Sequence, residues 1–234
     1  MLDEAFATLK QYDWGSDMAP LAPIEDAVAA SHDQADVRRD LEERLIASLK
    51  SDASRDAKDY VCRKLAIVGT AAAVPILAPL LVDKDHSHMA RFALERIPAP
   101  EAAQALRDAA AKASKELKVG IVGSLGSRHD TAAIPLLKDM LTASDPSVAR
   151  AAALALGAIG GQDAAAALQA AATAAAGDKS VIIDALLACA EALLDSKRQT
   201  EALAIYRALA ADSQTRLVRL AATRGILACT SQQS

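Results

Sequence analysis

Aromatic residues are scarce in this chain of 234 residues, which has two Phe, three Tyr and one Trp, or 3% of the sequence. Surfaces that stack nucleic-acid bases or sugar rings need such side chains, so their scarcity disfavours both kinds of site. Alanine is instead the commonest residue, and hydrophobic residues make up 52% of the chain. Because alanine favours helices and packs poorly as a strand residue, this composition excludes an all-β fold.

Cysteine is also scarce, and its pattern excludes two kinds of stabilising site. The three cysteines, Cys62, Cys189 and Cys229, lie far apart among apolar residues. An odd number at these spacings fits neither a disulfide framework nor a zinc site, so we expect buried, reduced thiols. Near the N-terminus, Asp3 and Glu4 stand where a signal peptide carries basic residues. The sequence therefore predicts a cytoplasmic protein without a secretory or transit signal.

Only residues 65–82 form an uncharged run that approaches the length of a membrane span. This run contains Gly69, Thr70, Pro75 and Pro79, with small alanines at its centre. Two helices that meet at a Gly69-Thr70 turn explain it better than one continuous apolar helix. We therefore expect no association with a membrane.

A repeat with a period near thirty residues runs through most of the chain. Residues 71–81 align without gaps with residues 131–141, at an offset of two such periods. Corresponding positions in five successive units are Ala73, Ala102, Ala133, Ala164 and Glu201, and their spacings are 29, 31, 31 and 37. Two helical patterns per unit at this period predict an α-solenoid.

The second helix of each unit has its best copy at residues 145–160. Asp145 is placed to cap this helix, Pro146 suits its first turn, and Gly160-Gly161 should end it. Weaker copies lie at residues 55–69, 87–97, 115–126, 180–194 and 214–227. Within the third of these copies, small residues should let neighbouring helices approach closely, and the glycines concerned are Gly120, Gly123 and Gly126.

A Leu-rich helix with an early Pro, followed by Asp-Pro-Ser-Val-Ala-Arg-Ala-Ala-Ala-Leu-Ala-Leu-Gly-Ala-Ile-Gly, resembles the HEAT repeats, particularly the bacterial form called HEAT-like or phycobilisome-lyase-like. The resemblance covers about residues 35–230, or five to six units. It implies an all-α fold, a right-handed α-solenoid (superhelix) of about twelve to fourteen helices. It identifies no particular partner, because one fold serves many functions.

The N-terminal fifty residues differ from the repeats. Residues 1–50 hold five basic and eleven acidic residues and are expected to form two short helices and one longer amphipathic helix. The end of a solenoid needs a polar covering, so we expect this acidic segment to be an N-terminal helical cap. Residues 51–234 are then the repeat solenoid, as one continuous structural domain.

Basic residues recur at nearly the same turn of the second helix. HEAT-repeat resemblance places these helices on the concave surface, where the cations offer a positive track for an acidic partner. The alternative is a ladder that pairs each cation with an Asp of a neighbouring unit, such as Asp83, Asp85 or Asp145. The candidate binding residues are Arg63, His88, Arg91, Lys118, Arg150 and Arg219, with Tyr12 and Trp14 as aromatic anchors at the cap.

The sequence contains no convincing catalytic or metal-binding motif. Residues 83–89 combine two acids with two histidines, but their position at a helix–helix turn favours a capping loop over a metal site. HEAT-like diiron hydroxylases carry repeated His-Glu pairs, and none of the four histidines here is followed by Glu. Residues 120–126 lack the preceding strand and the Gly-Lys-Ser/Thr ending of a phosphate loop. We therefore predict no enzyme activity, cofactor or metal.

The predicted function is non-catalytic protein–protein interaction, as a scaffold or adaptor that binds another protein on the concave face. HEAT-like DNA glycosylases need a basic face and aromatic side chains, and a pI near 5.6 disfavours nucleic acid as the partner. A HEAT-like lyase or other enzyme accessory subunit is the alternative. A further alternative is that the chain is one part of a larger multidomain protein or complex.

Overall fold

The computed structural model describes residues 1–175, 177–211 and 213–231. These residues form fourteen α-helices and no strand, so the fold is all-α. The helices are α1 (Leu2–Leu9), α2 (Ala22–Ala30), α3 (Ala35–Lys50), α4 (Arg55–Val68), α5 (Val74–Leu77), α6 (Ser87–Arg96), α7 (Pro100–Lys112), α8 (Lys115–Ser127), α9 (Ile134–Met140), α10 (Pro146–Ile159), α11 (Gly161–Ala174), α12 (Ser180–Asp195), α13 (Gln199–Leu209) and α14 (Arg216–Ser231). Short 3₁₀ segments lie at Ala19–Leu21, Ala71–Ala73, Ala78–Val82 and Thr131–Ala133.

The predicted second helices correspond to α4, α6, α8, α10, α12 and α14, each within a few residues of the predicted bounds. The uncharged run at residues 65–82 is divided as expected, because α4 ends at Val68 and a 3₁₀ segment begins at Ala71. In the described part of the chain, no helix combines the length and the apolarity that crossing a bilayer requires.

The chain is divided into two compact units, residues 1–121 and 122–234, and the division falls within α8. In the first unit, α3 packs against α4, and α4 packs against α6. Leu41, Leu65 and Leu94, one from each of these helices, are fully buried. Burying such side chains contributes about 1.5–3 kcal/mol each, so the three helices are held chiefly by this apolar layer.

Two polar contacts fix the α3–α4 pair at the end of α4. The Arg38 Nε donates a hydrogen bond of 2.8 Å to the Val68 carbonyl, which is one of the last acceptors of α4. The nearly buried Glu42 carboxylate accepts hydrogen bonds from the backbone N–H and the hydroxyl of Thr70, at 2.6 and 3.0 Å. These contacts anchor the turn at which the chain leaves α4.

The start of α4 is joined to the N-terminal segment through Ser54. Its hydroxyl accepts the Ala57 backbone N–H at 3.0 Å and so caps the helix. The same hydroxyl donates to the Tyr12 carbonyl, and the Ser54 backbone N–H donates to the Lys10 carbonyl at 2.9 Å. The segment after α1 is therefore tied to the first turn of α4, which determines where Trp14 lies.

In the second unit, α12 packs against α10, α11 and α13, and α13 packs against α14. The α10–α12 contact is close because Gly157 faces Ala185, and a Cβ at residue 157 would lie 3.0 Å from the Ala185 Cα. As predicted, the Asp145 carboxylate caps α10 by accepting the Ser147 N–H at 2.8 Å. Gly160 ends the helix with a φ of +68°, a conformation that glycine adopts without strain.

All three cysteines are buried and free, in agreement with the expectation of buried thiols. Burial raises the pKa of Cys62 to about 12 and that of Cys189 to about 12, and it also raises the pKa of Cys229. The Cys189 thiol donates to the Leu156 carbonyl at 3.5 Å, across the α10–α12 contact. These thiols are therefore part of the helix packing.

Candidate functional site

Arg63 lies on α4 between two aromatic rings. Its guanidinium carbon is 5.5 Å from the centre of the Trp14 ring and 5.6 Å from the centre of the Phe92 ring. The Nε donates a hydrogen bond of 2.9 Å to Asp59, a buried residue one turn earlier on α4. The hydrogen bond to Asp59 therefore fixes the position of the Arg63 side chain, of which 49% stays exposed.

A second guanidinium group, that of Arg96, lies over the Phe92 ring on α6. The Arg96 guanidinium carbon lies 3.9 Å from the centre of the Phe92 ring, and its Nη1 donates to the Phe92 carbonyl at 3.1 Å. The Arg96 side chain is 47% exposed. Trp14, Arg63, Phe92 and Arg96 thus form a continuous set of contacts in the first unit, which we call the aromatic–guanidinium surface. Cation–π contacts of this kind contribute about 0.5–1 kcal/mol each at exposed sites.

Trp14 is the exposed end of this surface. It is 53% exposed, and its backbone N–H donates to the Asp56 carboxylate at 3.0 Å. The Tyr12 ring contacts it edge-to-face at a centroid distance of 5.6 Å and reaches the Tyr60 ring at 5.9 Å. Tyr12 itself is only 4% exposed, so a partner would meet Trp14 and not the Tyr12 ring, and a role of Tyr12 as an anchor stays a prediction. Its ring is buried because it supports Trp14 against α4.

An ion pair between Glu25 on α2 and Lys64 on α4 lies next to Tyr60. The Tyr60 hydroxyl donates to Glu25 at 2.6 Å, and the Lys64 ammonium donates to the same carboxylate at 2.7 Å. Burial favours the neutral form of Glu25, but the hydrogen bonds from Lys64 and Tyr60 and the Lys64 charge outweigh it, so the pKa of Glu25 is lowered. Burial and the hydrogen bond to Glu25 raise the pKa of Tyr60. The carboxylate therefore stays ionised and the phenol neutral at pH 7.

Arg91 has a structural position on α6. Its Nη1 donates to the Gly120 carbonyl of α8 at 3.0 Å, and its Nη2 lies 3.2 Å from the His88 Nδ1. Glu95, one turn later, is 3.8 Å away. Burial of the guanidinium against α8 lowers the pKa of Arg91, and the negative charge of Glu95 opposes that shift. Arg91 thus connects two successive helix pairs through a backbone carbonyl of α8.

The other predicted cations follow the expected register but do not join the aromatic–guanidinium surface. Arg91, Lys118, Arg150 and Arg219 are each the fourth or fifth residue of their helix. Lys118 is half-buried on α8, while Arg150 is exposed on α10 and Arg219 half-buried on α14, both in the second unit. His88 is exposed beside Arg91. That these residues bind a partner stays a prediction.

The acid- and histidine-rich segment at residues 83–89 is a capping loop. The Asp83 carboxylate accepts the backbone N–H groups of Asp85 and His86 at 2.9 and 3.0 Å, and it lies 2.8 Å from the His86 Nδ1. The hydrogen bond with His86 lowers the pKa of Asp83. No group of three or more His, Cys, Asp or Glu among the described residues is placed to hold a metal ion.

Sequence reasoning missed Phe92 and Arg96. The signal available for this pair was their spacing of four residues, since such residues are neighbours on a helix surface. Asp59 and Arg63 have the same spacing. Nothing local in the sequence indicates that residues 14, 63 and 92 come together, because these contacts join three separate elements.

Comparison with known proteins identifies a repeat family in part of the chain. The family model for HEAT repeats matches residues 109–187, in agreement with the resemblance seen in the sequence. The comparison with curated proteins found no match to this sequence.

Two solved structures are similar in shape at low sequence identity. A crystal structure of an engineered protein is 21% identical, with a TM-score of 0.44, and the match covers 81% of this chain and 96% of that chain. Human deoxyhypusine hydroxylase in complex with glycerol is 17% identical, with a TM-score of 0.40, and the match covers 98% of this chain and 96% of that chain.

Proposed function

Starting from the HEAT repeats at residues 109–187, we propose that this helical-repeat protein is a non-catalytic scaffold or adaptor that binds another protein. The observation that carries the proposal is the exposed aromatic–guanidinium surface of the first unit. A partner docks there on Trp14, Arg63 and Phe92. Tryptophan, tyrosine and arginine are enriched among the residues that dominate protein–protein binding energy.

The fixed geometry of this surface favours binding. Arg63 is held by Asp59, the Trp14 backbone is held by Asp56, and Tyr12 supports the Trp14 ring. Ordering a flexible side chain on association costs about 0.5–1.5 kcal/mol, and side chains that are already ordered avoid much of this cost. The surface also uses four of the six aromatic side chains around it or beneath it, in a chain that has few.

Binding rather than catalysis is also the role that suits the buried thiols. A nucleophilic cysteine acts as its thiolate, and a pKa of about 12 leaves Cys62 and Cys189 protonated at neutral pH. Three free, buried thiols are ordinary in a reducing compartment, so the cytoplasm is the proposed location. Residues 1–50 are proposed to serve both as the N-terminal cap and as the support of Trp14.

Affinity capture from the source organism with matched variants tests the proposal. The chain is immobilised as the wild type, as Trp14→Ala and as Arg39→Gln, and the captured proteins are identified by mass spectrometry. Arg39 is an exposed arginine on α3 without a hydrogen bond or ion pair among the described residues, so it controls for loss of a surface side chain. We expect at least one protein to be captured by the wild type and by Arg39→Gln and to be lost with Trp14→Ala. Capture that is identical with all three would show that the surface is not the binding site.

A further inference from the structure

The two guanidinium groups of the aromatic–guanidinium surface have donors to spare. Among the described residues, Arg63 uses only its Nε, toward Asp59, and Arg96 uses only its Nη1, toward the Phe92 carbonyl and Glu95. Each guanidinium carries five N–H donors in a planar fork. Both side chains are about half exposed, so the remaining donors are open to a ligand.

These two forks are positioned by the same ring. Arg63 on α4 and Arg96 on α6 both contact Phe92, with guanidinium carbons 5.6 and 3.9 Å from the ring centre. A planar guanidinium that is already oriented matches a carboxylate through two parallel hydrogen bonds. Trp14 lies next to Arg63 and offers an apolar face beside this pair.

We propose that the aromatic–guanidinium surface binds an acidic segment of a protein partner, with carboxylates on Arg63 and Arg96 and an apolar side chain on Trp14. This inference rests on the proposed function, because it names the chemistry of the partner that the surface takes. The segment combines acidic and apolar residues, since the surface alternates guanidinium groups with rings.

The surrounding charges favour a peptide over nucleic acid. Asp59 lies against Arg63, Asp56 lies beneath Trp14, and Glu95 is 3.5 Å from Arg96. A polyphosphate backbone needs a row of cations and would be repelled by these three carboxylates. A peptide places one carboxylate on each guanidinium and keeps uncharged residues over the acids.

Trp14 provides the readout, because it is the single tryptophan of the chain. The full chain is titrated with a synthetic peptide of repeated Glu-Gly-Leu-Gly, whose uncharged residues can lie over the acids, and Trp14 emission and isothermal titration calorimetry are followed at low salt. A Gln-Gly-Leu-Gly peptide of equal length is the matched control. We expect the Glu peptide to bind and to change the emission, and the Gln peptide to bind at least about tenfold more weakly, because charge-assisted hydrogen bonds are lost.

Variants locate the carboxylates on the protein. Arg63→Gln and Arg96→Gln are each expected to weaken binding of the Glu peptide about tenfold, and Arg39→Gln to leave it unchanged. Arg63→Lys keeps the charge but loses the planar fork, so it should recover only part of the affinity. Thermal unfolding followed by circular dichroism verifies that each variant is folded. If a variant is not folded, the comparison of the two peptides on the wild type still decides the outcome.

Three results would overturn the inference. They are equal affinity for the Glu and Gln peptides, absence of binding by the Glu peptide, and tighter binding of single-stranded oligo(dT) than of the Glu peptide. None of them removes the proposed function, which depends on whether Trp14→Ala abolishes capture of a partner protein. Loss of that dependence would overturn the proposed function instead.

Discussion

The three glycines of α8 provide a test of how the helix pairs stack, because the structure places them in three different environments. A Cβ at Gly120 would lie 2.7 Å from the Arg91 guanidinium carbon, and a Cβ at Gly126 would lie 2.9 Å from the Ala155 Cα. A Cβ at Gly123 would meet nothing within 4 Å. Replacing glycine by alanine should therefore have one effect at the open position, Gly123, and the opposite effect at the two crowded positions.

Each expected change in stability combines a gain in helix propensity, common to all three variants, with a loss that depends on the local contacts. Alanine in place of glycine within a helix stabilises by about 0.8–1 kcal/mol, and Gly123→Ala should show this gain alone. Gly120→Ala displaces Arg91 from the Gly120 carbonyl, and a hydrogen bond from a charged group contributes about 1.5–3 kcal/mol. The expected net effect is a loss of about 0.5–2 kcal/mol.

Gly126→Ala should also be destabilising, for a different reason. The atom that its Cβ would meet belongs to the backbone of α10, which cannot swing away as an arginine side chain does. Overpacking of this kind costs about 1–3 kcal/mol and is offset only in part by the helix-propensity gain. Backbone shifts should spread the damage into α10.

Urea unfolding followed by circular dichroism measures the free energy of unfolding of all three variants. We expect Gly123→Ala to be more stable than the wild type, and Gly120→Ala and Gly126→Ala both to be less stable. Arg91→Gln combined with Gly120→Ala should show strong non-additivity, because both changes remove the same contact. Three variants that all gain stability would refute the packing described for α6, α8 and α10.

Other predictions concern thiols, pH and the second unit. At neutral pH the native protein should show no fast reaction with a thiol reagent, and in urea it should show three reactive thiols, because all three cysteines are buried with raised pKa values. The lowered pKa of Glu25 means that its stabilising contribution is present above about pH 4.5 and is lost as the pH falls through the folded-state pKa. The free energy of unfolding, measured with urea, should therefore fall less steeply with decreasing pH in Glu25→Gln than in the wild type. An equally steep fall in both proteins would contradict this. Arg150→Met should change the free energy of unfolding by less than about 0.5 kcal/mol, since Arg150 is exposed and makes no hydrogen bond or ion pair with the described residues. A clear loss of stability would instead support the Asp–Arg ladder.

The second helices could be predicted within a few residues because their ends are marked by local chemistry. At α10, Asp145 caps, Pro146 begins and Gly160 ends the helix, and each role depends on that residue alone. Apolar residues at spacings of three and four then identify the buried face. Such signals need no knowledge of neighbouring elements.

The first helices were less regular than the repeat suggested. The predicted helix at residues 71–81 consists of a 3₁₀ turn, the short α5 and a second 3₁₀ segment. Pro75 and Pro79 lie one turn apart, and neither has a backbone N–H to donate to the carbonyl four residues earlier. The equivalent residues 131–141 have Asp139 where Pro79 stands, and α9 is longer than α5.

The candidate site could be predicted only in part. The recurrent cations and Trp14 were visible in the sequence, but their environments depend on distant partners. Arg91 is packed against Gly120, whereas Arg63 lies between Trp14 and Phe92 and stays exposed to solvent. Contacts between elements that lie far apart in the chain decide which cation can meet a ligand.

Site-specific photocrosslinking is the most direct test of the claim that the aromatic–guanidinium surface binds a partner. A photoreactive benzoylphenylalanine is placed at Ile67, which is 60% exposed one turn beyond Arg63 on α4, and in a second variant at Arg39 on α3. We expect a crosslink to a partner protein from residue 67, with none from residue 39. Crosslinks from residue 39 alone, or equally from both positions, would contradict the account.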